Sequence, residues 1–194
     1  SPGPGRVFRP EGQSVSGGGL NNLALEGIEL TVWPCEGSTR QQFAYNKDYT
    51  GHIQVFGHDW LGNPTKSCIA RSVDEDLLGL RLTKCNYQAG KFDVIPLAHD
   101  DAGLFNIVLR NNRHDSEQCV AIKKLENDGG AYGPRGGAQV ALGKCTRTSA
   151  KWKLDLETGE ASSAYFADEH GEHEVCLTTG WPFLQMGAFL TPNG

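Results

Sequence analysis

The sequence has no run of lysine and arginine, no Cys-x-x-Cys, one methionine in 194 residues, and no apolar stretch near the roughly eighteen residues that a membrane-spanning helix needs. With a formal charge of −5, the missing basic run removes the electrostatic footprint of a phosphate-backbone binder, so nucleic acid is not an expected partner. The missing apolar run predicts no membrane span, and the Gly/Pro-rich start has no signal-peptide core, as in a chain already processed. Without Cys-x-x-Cys or zinc-finger spacing, no metal and no cofactor are expected. Asn63-Pro64-Thr65 is the nearest approach to an N-glycosylation acceptor, and its central proline blocks it. A sustained 3.6-residue apolar period is also missing, which excludes a helical core.

What is present is short β-branched and aromatic runs separated by Gly, Asn and Asp, a pattern that predicts an all-β chain of about a dozen strands. Residues 1–19 hold six Gly and three Pro and read as a leader or linker. Residues 20–180 read as one domain and 181–194 as an apolar C-terminal extension. Six cysteines without a redox motif suit an oxidising compartment, hence secretion.

The cysteines also mark an internal repeat. Three segments close alike, at Leu30–Cys35, Leu80–Cys85 and Val140–Cys145, and an aromatic residue follows each cysteine by seven or eight positions, as Phe43, Phe92 and Trp152. Those aromatics are expected to plug a shared core. A second triple, Cys68, Cys119 and Cys176, is nested within the first. Cys68 precedes Cys85 by 17 residues and Cys119 precedes Cys145 by 26, so each pair can close a two-strand loop. Cys176 has no strand-ending cysteine after it, and Cys35 is the one left over. The repeat register therefore predicts Cys68–Cys85, Cys119–Cys145 and Cys35–Cys176, with the first repeat assembled from both ends of the chain.

Three repeats of about 50 residues, each with a cysteine pair and Trp33-Pro34-Cys35 followed by Gln41-Gln42-Phe43 in the first, resemble the ricin-B-type β-trefoil lectins and carbohydrate-binding modules. The resemblance implies a β-trefoil fold and a sugar stacked on an aromatic ring, held by an acid and by polar side chains near the Gln-x-aromatic motif. In the first repeat it places Trp33 as the ring, Thr31, Arg40 and Gln41 in the polar positions, and Thr178 where the acid is expected. In the second, Thr83, Gly90 and Ala70 replace ring, glutamine and acid, although Asp74, Glu75 and Asp76 lie nearby. In the third, Gly143, Ala150 and Ala121 do so, leaving Tyr132 as the stacking candidate. The implied function is a non-catalytic, lectin-like module for galactose- or xylan-like glycans, not an enzyme. The alternative is a degenerate trefoil that docks a protein partner or an attached catalytic domain of a toxin or glycosidase, through the C-terminal extension.

Other constellations yield to simpler readings. Asp168-Glu169-His170-Gly171-Glu172-His173-Glu174 contains His-x-x-His, but the central glycine opposes the helix such ligands need, so a solvated acidic loop is expected. The acid pairs at Asp74–Asp76 and Asp100–Asp101 read as turn chemistry. Gly129–Gly137 lacks the Gly-Lys-Ser/Thr ending of a phosphate cradle.

Overall fold

The computed structural model of the chain describes residues 30–45, 51–58, 64–72, 79–110, 118–123, 138–165 and 174–179. The leader 1–19, the C-terminal extension 181–194, the His-x-x-His segment, Asp74–Asp76, Tyr132 and the Gly129–Gly137 loop lie outside the described residues. Among the described residues the fold is all-β and antiparallel, with twelve strands. In chain order these are β1 Leu30–Pro34, β2 Phe43–Tyr45, β3 Ile53–His58, β4 Pro64–Arg71, β5 Leu80–Lys84, β6 Phe92–Pro96, β7 Phe105–Leu109, β8 Cys119–Ile122, β9 Val140–Gly143, β10 Trp152–Leu154, β11 Ala161–Ser163 and β12 Val175–Thr179.

One sheet runs β1-β12-β11-β10-β7-β8-β9, with β6 paired to β7, and a second runs β2-β3-β4-β5. Single bridges, Thr31↔Gln139 and Gly79↔Ala141, bring β1 and β5 to β9. Val32 N–H donates to the Ala138 carbonyl at 3.0 Å. The larger sheet thereby closes almost into a barrel, which leaves few backbone groups at open edges.

The repeat explains this topology. Each begins with a strand leading into a cysteine (β1, β5, β9), continues with an aromatic strand (β2, β6, β10), adds a third strand, and finishes with a strand whose cysteine pairs with the first cysteine of the next repeat round the ring (β4, β8, β12). β4 pairs with β5 and β8 with β9, and β12 returns to pair with β1 from Leu30↔Thr179 to Pro34↔Val175. All three predicted disulfides are formed, with Cα–Cα distances of 5.1, 5.0 and 5.1 Å for Cys35–Cys176, Cys68–Cys85 and Cys119–Cys145.

The core follows from the period-2 alternation of side chains along a strand. Leu30 and Val32, Leu80 and Leu82, and Val140 and Leu142 point inward from the cysteine-ending strands, and Ile69, Val120 and Leu177 do so one residue after the second cysteines. Phe43, Phe92 and Trp152 are fully buried at the centre, as the spacing predicts. Each inward side chain contributes about 1.5–3 kcal/mol by leaving water.

A lateral support stands beside this core. Gly51 has φ +70° and its carbonyl accepts from Phe92 N–H at 2.8 Å. A Cβ there would lie 2.9 Å from Arg110 Nη1, and that guanidinium pairs with Asp93 at 2.8 Å. Gly51→Ala is expected to cost about 1–2 kcal/mol, mostly from forcing an alanine into the left-handed region. Denaturant unfolding measures it, and an unchanged midpoint would mean that the backbone relaxes to a negative φ.

Candidate functional site

The five sequence-predicted sugar residues are brought together, but four of them are buried. Thr31 stands opposite Thr178, and Trp33 opposite Cys176, on paired strands β1 and β12. Residues Thr39–Gln41 form a 3-10 turn that packs across β12. Thr31, Arg40, Gln41 and Thr178 are buried, and Trp33 is half-buried.

Gln41 is occupied at both ends of its amide. Its Nε2 donates to the carbonyls of Pro34 at 3.0 Å and Trp33 at 3.3 Å and to Thr178 Oγ1 at 3.2 Å, and its Oε1 accepts from Glu36 N–H at 2.9 Å. This glutamine fastens the turn to the strand end. Arg40 Nη2 bonds Glu36 Oε1 at 2.8 Å, while Nε and Nη1 are buried without a hydrogen-bond partner. Burial lowers the Arg40 pKa, and Glu36 opposes that shift.

In the other repeats the matching positions are filled by packing. A Cβ on Gly90 would fall 2.8 Å from Phe92 Cε2 and 3.0 Å from Leu109 Cδ1, so no glutamine fits there. Ala70 and Thr83 are buried. In the third repeat a Cβ on Gly143 would approach Ala121 Cβ to 3.1 Å, which leaves little room for a ring. Asn106 takes over the fastening role, its Nδ2 donating to the carbonyls of Ala150 at 2.9 Å and Cys145 at 3.3 Å.

The concave feature lies one step along the sheet from Trp33 and was not foreseen in the sequence. A cleft of about 300 Å³ is lined by Lys153, Leu154, Asp155, Leu156, Glu160, Ser162, Glu174 and Cys176. That volume is at the lower end of small-molecule sites. Strand register aligns its walls: Trp33 faces Cys176, Cys176 faces Ser162, and Ser162 faces Lys153 across β1, β12, β11 and β10. Directly opposed residues share a face of the sheet, and residues two apart along a strand return to it. Trp33 therefore stands on the cleft's face, one strand beyond Cys176.

The turn joining β10 to β11 fixes the acids. Asp155 Oδ1 accepts from Glu157 N–H at 2.9 Å and Thr158 N–H at 3.2 Å. These bonds, that from Thr158 foremost, hold the Asp155 carboxyl below its usual range, so it is an anion at neutral pH. Gly159 closes the turn with φ +80°. Glu160 Oε2 lies 3.3 Å from Cys176 Sγ. A disulfide sulfur has no proton to give, so this contact is a hydrogen bond only while Glu160 is protonated. Desolvation, then the charges of Asp155 and Glu174, push the Glu160 pKa up, toward that protonated form. Cys35, Glu160 and Cys176 also converge within 4.8 Å in a metal-like grouping, but sulfurs already bonded to each other offer no thiolate.

The raised Glu160 pKa has a stability consequence. The folded chain holds this proton more tightly than the unfolded chain, so Glu160 favours folding as pH falls through its folded-state value and opposes folding above it. Glu160→Gln is expected to raise Tm near pH 7 and to lose that advantage near pH 4. Melting curves of both chains across this interval check it, and a constant difference in Tm would contradict it.

The chain matches no protein-family model, no curated protein and no solved structure.

Proposed function

We propose that the chain is a secreted, non-catalytic carbohydrate-binding module with the β-trefoil architecture of the ricin-B-type lectins. Three four-strand repeats, joined through β1, β5 and β9 and each linked to the next by one disulfide, support the architecture. Those disulfides support an oxidising compartment. Among the described residues no helix is long and apolar enough to cross a membrane.

The observation that carries the binding role is the aligned row Trp33, Cys176, Ser162 and Lys153 fronting the cleft. A sugar offers an apolar C–H face and a set of hydroxyls. Leu154, Leu156 and the neighbouring indole match the first, and Ser162 with the carboxylates of Asp155, Glu160 and Glu174 matches the second. Asp155, tied to its turn by backbone N–H groups, suits a fixed acceptor.

A glycan array probed with the folded, oxidised chain is expected to show binding that falls about tenfold in Trp33→Ala at unchanged fold. Silence across the array would overturn the reading.

A further inference from the structure

The cleft carries an unbalanced charge. Among the described residues, Asp155, Glu160 and Glu174 line it with Lys153 as the one cation. The ion pairs of the described residues join Glu36, Asp93 and Asp101 to Arg40, Arg110 and Lys151, away from this site. None of the three cleft acids is neutralised by those pairs. Asp155 is held by its turn and Glu160 lies close to the disulfide, while the backbone of Glu174 is anchored through its carbonyl, which accepts from Cys35 N–H at 3.1 Å.

The remaining walls are Leu154, Leu156 and the Cys176 sulfur, which add apolar surface, and Ser162, whose hydroxyl is turned to the Lys153 carbonyl at 3.5 Å. The site is thus rich in anionic acceptors and short of donors. A neutral sugar supplies hydroxyl donors but no charge, and a uronate or sulfated sugar brings a like charge next to the acids Asp155 and Glu174. An ammonium group on a sugar ring supplies both donors and compensation, while its C–H face meets the leucines.

We infer that the cleft takes an amino sugar bearing a free ammonium group, such as a deacetylated hexosamine oligomer, in preference to the galactose- or xylan-like chains that the resemblance implies. The inference rests on the glycan-binding reading and names its ligand class. The repulsion of Asp155 and Glu174 felt by Glu160 agrees with the negative potential it requires.

The test is calorimetric titration of the oxidised full chain near pH 6 with four tetramers: glucosamine, N-acetylglucosamine, xylose and galacturonate, together with spermidine as a sugarless amine. Glucosamine tetramer is expected to bind at least tenfold tighter than its acetylated counterpart, with the advantage shrinking several-fold between low and physiological salt. The double variant Glu160→Gln, Glu174→Gln keeps the cleft's shape and is expected to abolish that advantage, its fold checked by melting temperature and disulfide content. Equal binding of acetylated or neutral tetramers, untouched by the double variant, would overturn the amine preference and leave the glycan reading standing. Spermidine binding as tightly as the amino sugar would also overturn it. If no tetramer binds, both readings fall.

Discussion

Cys35→Ser with Cys176→Ser is expected to lose about 5 kcal/mol of stability, the largest effect among the three disulfides. In the chain-entropy account a crosslink stabilises by shrinking the unfolded ensemble, and its effect grows with the logarithm of the loop it closes. The sequence separations are 141 for Cys35–Cys176, 26 for Cys119–Cys145 and 17 for Cys68–Cys85. That scale gives about 5, about 3.5 and about 3 kcal/mol in turn. The first value rivals the whole stability of an ordinary domain, about 5–15 kcal/mol. The same bond also keeps β12 against β1, the strand whose other edge meets β9 where the larger sheet nearly closes. Guanidinium unfolding of the three paired serine variants measures the order. Equal losses would show that native-state strain or residual unfolded structure, not loop length, sets the contribution of each bond.

Trp152→Ala is expected to cost about 3–5 kcal/mol, and Trp152→Phe about 1–3 kcal/mol. Trp152 is fully buried, and its Nε1–H donates to the Val120 carbonyl at 2.8 Å, linking the aromatic strand of the third repeat to β8. Alanine leaves a cavity where three repeats meet. Phenylalanine fills most of it but strands the Val120 carbonyl, so the gap between the two variants separates packing from the hydrogen bond. Both are read from unfolding midpoints at constant slope. A phenylalanine variant as stable as the parent would mean that the Val120 carbonyl finds another donor.

Much of the scaffold could be read from the sequence because it repeats. Cysteine spacing, alternating aliphatics and the aromatic after each cysteine are local signals, and they place β1, β5, β9, the three core aromatics and all three disulfides. The first-repeat positions assigned to a sugar also come together, yet Gln41 uses its whole amide to secure its own turn. That use was invisible because a glutamine before an aromatic strand reads the same whether it binds outward or inward.

The cleft was harder to see. Lys153 and Asp155 end one strand, Glu160 and Ser162 begin the next, and Glu174 precedes Cys176. The alternation of polar residues on either side of a Gly-containing turn was the available signal. Its meaning depended on β11 lying beside β12, a pairing between residues more than ten positions apart that no local pattern records.

The return of β12 to β1 also bears on how the protein is made. While the ribosome is still extending the chain, β1 lacks its neighbour, and Cys35 must wait for a cysteine 141 residues later. Contacts between distant segments form late and slow folding. The second and third hairpins can lock in order, Cys68 with Cys85 and then Cys119 with Cys145, leaving Cys35 as the sole unmatched thiol until Cys176 emerges. Once those two short loops have closed, one of the fifteen pairings remains, so Cys35–Cys176 is the last bond to form.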